Sequence, residues 1–274
     1  VIPDDKMASF LLARSSICGV LGVVGASMSG IILSYGKFPD NYGHLFISAF
    51  IIITISLVVF NFTAEPKNVA VETVKMDNQS YRESLRQILS KDKNFLIYLL
   101  STGLIGGFGM MSLVFQVIYA KERLAISPQQ VAAVQTVIFI IQTCGYILWG
   151  FVVKGRGLKF TGIVSASLFI PAILLTLWMR NFGVLILSVV FMSLAQSYRN
   201  ACENKILINL VPEQRLLPTY IGLRNTLMAP FFALNSMFAG LLLDASNFMV
   251  LSVVSLVFMA AGVLLFACRL RIPE

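Results

Sequence analysis

Long apolar runs constrain the fold of this chain more than any other feature of its sequence. Each is about 20 residues or more in length, which is what a helix needs to cross the hydrocarbon core of a bilayer. We count eight, at 8–33, 43–64, 95–119, 129–153, 160–179, 183–201, 219–243 and 248–268. Only 12% of residues are charged, against roughly 25% in soluble domains. Strands of a membrane barrel would instead alternate apolar and polar residues in segments of about 10. The sequence therefore predicts an all-α membrane protein with eight transmembrane helices.

The positive charges are distributed unevenly between the two ends of these helices. Of the 21 Lys and Arg residues, fourteen fall at the ends and loops on the side of residue 1, four on the opposite side and three within helices. Cytosolic loops of membrane proteins carry such an excess of Lys and Arg. We therefore expect a multi-pass protein of the cell membrane, with both ends of this chain cytosolic and membrane lipid around it. The net charge of +8 is explained in this way, and no nucleic-acid partner is expected.

An internal repeat divides the chain. The first related pair of residues is 209 positions apart and the other two pairs are each 210 apart. These pairs are Pro3 and Pro212, Arg14 and Arg224, and Gly30 and Gly240. The repeat relates the first span to the seventh, so its unit is six helices and two complete units would hold twelve. We expect the four further helices before residue 1, as N-terminal helices of the same protein that pack against this chain.

The repeat suggests three regions. Residues 1–64 would be the last two helices of an N-terminal bundle, residues 65–94 a cytosolic loop between bundles, and residues 95–274 a C-terminal bundle of six helices. Within the loop, Ser80 and Glu83 have the spacing of a capping box, which begins a helix. Apolar residues then recur on one helical face, which is typical of an amphipathic helix lying on the membrane surface. A solvated tether with nascent helix is the alternative.

Two six-helix halves related as parallel repeats, with a long cytosolic loop between them, resemble the major facilitator superfamily. The turn between the fourth and fifth spans is similar to that family's glycine- and basic-rich hairpin. It keeps Gly150, Gly157 and Lys159 of that pattern. Lys154 stands where the family usually has Asp, so the charge pairing of the motif differs. The resemblance implies a partial fold of this family, with the first span as its fifth helix and the eighth as its twelfth.

Amide and phenol side chains inside the spans are the candidates for lining a solute cavity. Polar side chains are costly in lipid and usually face a bundle interior or a watery cavity. Most of them recur at helical spacing, which places them on one face of their helix. The candidates are Gln116, Gln135, Gln142, Tyr146, Gln196, Asn200, Asn225 and Asn235. The alternative is that these side chains only join helices by interhelical hydrogen bonds.

Charged residues inside the spans suggest a cluster that controls access. Arg199 and Glu203 are spaced i, i+4 and can pair along one helix. The sixth span runs toward the cytosol and the seventh returns from it, so Arg224 is expected at a similar depth. Arg14 is its counterpart in the first half. We predict an ion-pair cluster near the cytosolic mouth that holds one access state closed. For Arg14, a side chain that reaches out to the lipid headgroups is the alternative.

Glycines are concentrated in two of the spans. Gly22, Ala26 and Gly30 form a seam of small residues at i, i+4 and i+8, which lets another helix approach closely. Four glycines are expected to weaken the third span locally. They are Gly103, Gly106, Gly107 and Gly109. Rocking of one bundle against another would use such features, and so would ordinary packing.

The sequence argues against an enzyme. His44 is the only histidine, so a zinc site of the His-Glu-x-x-His type is not possible, and we predict neither a metal site nor a cofactor. The leading interpretation is a secondary active transporter that moves a small solute by alternating access. A coupling ion, H+ or Na+, is a candidate partner. If protons are coupled, their main site is either Glu203, the one plausible intramembrane carboxylate of this sequence, or a residue in the four further helices. A transporter-like sensor or scaffold without transport activity is the alternative.

Overall fold

A computed structural model of the chain describes residues 4–35, 37, 39–62, 88–213, 216–245 and 247–272. Of the predicted amphipathic helix in the 65–94 loop, the part before residue 88 lies outside the described residues; residues 88–91 are helical, and Ile88 is buried. All regular structure that is described is helical. The elements are α1 Asp4–Ser34, α2 Asp40–Phe60, α3 Lys93–Gly106, a 3₁₀ turn Phe108–Met110, α4 Met111–Val114, α5 Gln116–Leu124, α6 Pro128–Ser167, α7 Phe169–Leu177, α8 Phe182–Leu210, α9 Leu217–Ala245 and α10 Phe248–Arg269.

Seven helical segments in the described residues are long and apolar enough to cross a membrane. The chain is thus an all-α protein with the helices of a multi-pass membrane protein. One segment, Pro128–Leu177, has 50 residues. At 1.5 Å per residue it would extend about 75 Å as a straight helix, whereas the hydrocarbon core is about 30 Å thick. It contains the predicted fourth and fifth spans, and a break within it separates the two.

The break is at Gly157, whose backbone is not helical. Its φ of 77° and ψ of 169° lie where only glycine is free of steric cost. Beyond it, Tyr198 of α8 donates a hydrogen bond to the Leu158 carbonyl at 2.6 Å, and the Thr176 and Ser188 hydroxyls are 2.9 Å apart. The chain after Gly157 therefore runs antiparallel to α8. The glycine-rich hairpin reverses the chain between the two predicted spans.

The third predicted span is discontinuous. α3 ends at Gly106, Gly107 has a non-helical ψ of −94°, and a 3₁₀ turn and the short α4 precede α5. Around the break, glycines expose bare backbone to side chains of three other helices. Gly103 faces Phe231 of α9, Gly106 faces Arg199 of α8, and Gly109 faces Met259 of α10. The expected weak point of this span is thus also the point where three helices meet it.

The small-residue seam of α1 lies against α6. A Cβ atom on Gly22 would lie 2.5 Å from Cδ1 of Phe139, and one on Gly30 would lie 3.1 Å from Cβ of Ala132. The order of these contacts makes the two helices antiparallel. Ala26, between the two glycines, is buried. The seam therefore does what its composition predicts, and α6 is the helix that it approaches.

The main core is formed largely by α3, α6, α7, α8 and α10. Phe95, Tyr98, Phe169, Leu207 and Met259 are among its fully buried side chains. By contrast, every residue of the α2 segment is exposed or half-buried except Asn41. The well-packed part of the described chain is thus residues 88–272, to which α1 attaches through α6.

Candidate functional site

Glu203 of α8 lies between two arginines. Its Oε1 is 2.8 Å from Nη2 of Arg224 on α9, and its Oε2 is 3.9 Å from Nη2 of Arg199, one turn earlier on α8. Side chains of the three residues are only 16–17% exposed. We call these three residues the ion-pair cluster. Its short contact joins two helices, whereas its contact along α8 is too long for a hydrogen bond.

Neighbouring helices fix the position of α9 near the ion-pair cluster. Asp92 caps α3 by accepting a hydrogen bond from the Phe95 amide at 2.9 Å. Its other oxygen accepts one from the Tyr220 hydroxyl at 2.8 Å. Tyr220 lies one turn before Arg224, so this contact ties the start of α9 to the start of α3. The Tyr98 hydroxyl of α3 also donates to the Glu203 backbone carbonyl at 3.3 Å.

Hydrogen-bond donors outnumber good acceptors in the ion-pair cluster. Nη1 of Arg199 has the Met110 sulfur as its acceptor at 3.1 Å, and a thioether is a weak acceptor. Nη1 of Arg224 donates to Oδ1 of Asn204 at 3.3 Å. Nε of Arg224 is buried and has no hydrogen-bond partner in the described part of the chain. Two guanidinium groups share one carboxylate, so the cluster carries one excess positive charge.

A small cavity adjoins the ion-pair cluster inside the bundle. It is lined by Tyr98, Thr102, Tyr198, Arg199 and Glu203, together with apolar residues from the helices around them. Its volume is about 30 Å³, which is room for one or two water molecules. Drug-sized ligands occupy pockets of about 300–1,000 Å³. This cavity therefore has no room for an organic solute in the state that the structure describes.

Three of the predicted cavity residues form one chain of hydrogen bonds. Gln196 Nε2 donates to Asn200 Oδ1 at 3.1 Å, and Asn200 Nδ2 donates to the Tyr146 hydroxyl at 3.4 Å. These contacts join α8 to α6. Gln142 is half-buried, one turn before Tyr146 on α6, and Asn225 is exposed on α9 beside Arg224. An amide-rich surface thus extends from the ion-pair cluster across α6, α8 and α9.

The other three predicted cavity residues lie elsewhere. Gln116 is fully buried, and its Nε2 donates to Thr176 at 2.9 Å and to Ser188 at 2.7 Å. These bonds join α5 to α7 and α8, which is the geometry of the helix-joining alternative. Asn235 is buried, and its Oδ1 has no partner within the described residues. Gln135 is exposed on α6.

Arg14 lies apart from its counterpart in the repeat. It is exposed on α1, and the two ion pairs of the cluster do not include it. In the hairpin, Lys154 is exposed, whereas Gly150 and Lys159 are half-buried. Arg156 of the same hairpin lies 5.0 Å above the ring of Phe160. The four predicted access-controlling residues are thus three at one site and one outside it.

Sequence reasoning missed Tyr98 and Met110 at this site. Both lie on the segment that forms the discontinuous third span, and neither has a charge or an amide to draw attention to it. The signal for Tyr98 is a phenol in an otherwise apolar helix, since a buried tyrosine hydroxyl usually has a hydrogen-bond partner. Met110 has no such signal, because a methionine in an apolar run is ordinary core material.

The residue types at the site narrow its chemistry. Two guanidinium groups, one carboxylate and several amides suit ion pairing and hydrogen bonding. Across the ranges that the structure describes, no group of three or more His, Cys, Asp or Glu side chains is placed to hold a metal ion.

No protein-family model matches this chain, and no curated protein sequence matches it.

Proposed function

We propose that the chain belongs to a secondary active transporter of the major facilitator type, which moves a small solute across the cell membrane by alternating access. One observation carries the proposal: an ion pair of 2.8 Å joins two membrane-length helices, with its side chains only 16–17% exposed. Charged side chains within membrane spans are costly and mark pathways for ions or solutes. Both ends of this chain are cytosolic in this proposal, in agreement with the bias of its Lys and Arg residues.

Two further features support transport. The discontinuous third span lies against the ion-pair cluster, with Gly106 facing Arg199, and discontinuous helices are typical of transporter binding sites. The close approach of α1 to α6 joins the first two helices to the remainder of the chain through bare backbone at Gly22 and Gly30. This interface packs the ring of Phe139 and the methyl group of Ala132 against the glycines of α1, and close approach of this kind also suits two bundles that rock against each other.

In this proposal the pair of Glu203 and Arg224 holds the cytosolic parts of α8 and α9 together. The small cavity beside it is consistent with a closed state on this side. Opening toward the cytosol then requires this pair to separate, because it bridges the two helices directly. A change that removes the pair should shift the population toward the open state.

Site-directed cysteine labelling tests this role of the pair. In full-length protein without its native cysteines, Asn200→Cys and Asn225→Cys each place one thiol on the amide-rich surface. We expect Glu203→Gln to raise the rate at which a membrane-impermeant maleimide labels either thiol from the cytosolic side. Glu122→Gln, which neutralises an exposed carboxylate on α5, is the matched control and should leave both rates unchanged. Equal rates in the parent and in Glu203→Gln would contradict the gating role.

A transport assay separates the transporter from a sensor or scaffold. Full-length protein in proteoliposomes is supplied with a mixture of small metabolites, and the lumen is analysed by mass spectrometry. We expect at least one solute to accumulate above the level of protein-free vesicles, and to fall to that level when Arg224 is replaced by Gln. If folded, correctly inserted protein accumulates no solute under H+ and Na+ gradients, the sensor or scaffold replaces the transporter.

A further inference from the structure

The charges of the ion-pair cluster do not balance. Arg199 and Arg224 together carry two positive charges, and Glu203 supplies one negative charge. Lys205, exposed on the next position but one, adds positive rather than negative charge nearby. The carboxylate of Asp92 is already engaged by the Phe95 amide and the Tyr220 hydroxyl. An excess positive charge inside a membrane span is costly, so the cluster is suited to receiving one more negative charge.

The two arginines are also unequally paired. Glu203 is 2.8 Å from Arg224 but 3.9 Å from Arg199. The Arg199 guanidinium also donates a hydrogen bond to a thioether sulfur, which is a weak acceptor, and Arg224 keeps an unpartnered buried Nε within the described part of the chain. Each guanidinium therefore has donors that a carboxylate could use. Guanidinium groups bind carboxylates with two parallel hydrogen bonds.

We propose that the solute of this transporter is a small organic monoanion, and that its carboxylate binds Arg224 in exchange for Glu203. This inference rests on the function proposed above. Glu203 then turns to Arg199, which lies four residues earlier on the same helix and within 3.9 Å already. The result is two guanidinium groups paired with two carboxylates, and the excess charge is cancelled.

The surroundings of Arg224 provide contacts for the rest of such a solute. Asn204 is exposed and accepts a hydrogen bond from Arg224 at 3.3 Å, and Asn225, the next residue along α9, is also exposed. The amides of both can donate or accept hydrogen bonds. A neutral solute would leave the excess positive charge in place, and a dianion would replace it with an excess negative charge. The charge count thus favours a single carboxylate on the solute.

The exchange also connects binding to gating. The pair of Glu203 and Arg224 joins α8 to α9, whereas a pair of Glu203 and Arg199 lies within α8 alone. Binding of the carboxylate therefore releases the direct contact between the two helices. Arg224 is the binding residue in this scheme, and Arg199 is a positioning residue that receives Glu203.

Matched pairs of carboxylates and amides test the proposal. The thermal unfolding of full-length protein in nanodiscs is followed while butyrate or benzoate is titrated at constant ionic strength, against butyramide or benzamide. We expect a saturable rise in Tm with the carboxylates and none with the amides. Arg224→Gln should abolish the rise. Arg180→Gln, an exposed arginine beyond α7, is the control and should respond as the parent does.

Glu203→Gln gives the decisive result. A merely structural cluster loses stability in this variant without gaining affinity for anions. In the exchange scheme the built-in competitor is removed, so the carboxylate concentration at half-saturation should fall about tenfold or more, the range of a charged hydrogen bond. Arg199→Gln should raise this concentration by a similar factor, because Glu203 loses its second partner. If Glu203→Gln does not fold, Glu203→Asp should show an intermediate gain, since its shorter carboxylate reaches Arg224 less well.

Several outcomes would overturn the inference. The first is that carboxylates change the Tm of neither the parent nor the Glu203→Gln variant. The second is that butyramide or benzamide raises the Tm as much as the matching carboxylate does. The third is that Glu203→Gln binds carboxylates more weakly than the parent. The transporter proposal survives these outcomes if neutral solutes accumulate in proteoliposomes. Conversely, carboxylate binding without accumulation of any solute would overturn transport and leave this binding site intact.

Discussion

Arg14 and Arg224 occupy matching positions in the two copies of the repeat, yet their surroundings differ. Arg14 is exposed on α1, whereas Arg224 is 17% exposed and pairs with Glu203. The matching glycines differ in the opposite sense. Gly30 faces Ala132 closely, and Gly240 has no atom within 4 Å of the place where a Cβ would lie. In the first copy the glycine makes a close helix contact, and in the second copy the arginine makes an ion pair.

Residues that match in the predicted repeat therefore make different contacts in the structure. In the described residues, α1 is held by close approach of its backbone to α6, which needs small residues. α9 is held in its N-terminal part by polar contacts through Tyr220 and Arg224. Replacing the arginine should therefore lower stability more in the second copy, and replacing the glycine should lower stability more in the first.

The largest effect is expected at the matching arginines. Arg224→Gln leaves Glu203 partly buried with only the distant Arg199, and breaking a buried pair by removing one partner costs about 3 kcal/mol. Arg14→Gln should change the free energy of unfolding little, because that side chain is exposed. Chemical unfolding of both variants in detergent measures the difference. The double variant of Arg224→Gln with Glu203→Gln should recover part of the lost free energy of unfolding, because no unpaired carboxylate is left buried. Equal losses in Arg14→Gln and Arg224→Gln would contradict the difference between the two arginines.

At the matching glycines, Gly30 and Gly240, the larger loss of stability is expected in the first copy. Gly30→Leu forces α1 away from Ala132, and overpacking of this kind costs about 1–3 kcal/mol. Gly240→Leu meets open space and should be close to neutral. The melting temperatures of the two variants compare them directly. If Gly240→Leu lowers the melting temperature more than Gly30→Leu does, the seam of α1 is not a helix contact in the membrane.

The hairpin offers a smaller and more local test of how the second copy is built. Gly157→Ala puts a Cβ at a φ of 77° and a ψ of 169°, a region that essentially only glycine adopts and that costs other residues about 1–3 kcal/mol. Gly155 has a helical backbone and no atom within 4 Å of the place where a Cβ would lie, so Gly155→Ala should be neutral or slightly stabilising. Unfolding curves of the two variants test whether the turn depends on residue 157 alone.

The smallest effect is expected for the buried amide of α5. Gln116→Leu removes two hydrogen bonds but leaves Thr176 and Ser188 bonded to each other at 2.9 Å. Interhelical hydrogen bonds in membranes average about 0.6 kcal/mol each, so a loss near 1 kcal/mol is expected. Gln135→Leu, on an exposed face, is the control. In the transport assay both variants should keep activity, and a loss in Gln116→Leu alone without loss of stability would return that residue to the solute path.

The sequence predicted the helical elements well because their cause is local. A run of apolar residues in lipid must bond its own backbone, and a helix is the way in which one segment can do so. Gly157 was predicted as part of a tight turn for an equally local reason. By contrast, the apolar pattern across 129–179 did not reveal that the two spans meet at one residue with almost no loop.

The polar residues were harder to place. Their spacing puts Gln142 and Tyr146, or Gln196 and Asn200, on one face of a helix, but spacing does not say what stands opposite that face. Gln116 meets hydroxyls of two helices distant in sequence, and no pattern within its own span shows this. The role of Tyr98 was missed for the same reason, because its partner is a backbone carbonyl 105 positions away.

What the sequence determined by itself is that this chain is helical, apolar and interrupted at particular glycines, since these follow from backbone hydrogen bonding and from local sterics. Which charges pair was decided only by the tertiary structure. The local i, i+4 rule favours Arg199 for Glu203, yet that contact is 3.9 Å and the contact with Arg224 is 2.8 Å. The physical reason is that the packing of α9 against α8 brings a second guanidinium closer than the turn of α8 can bring the first.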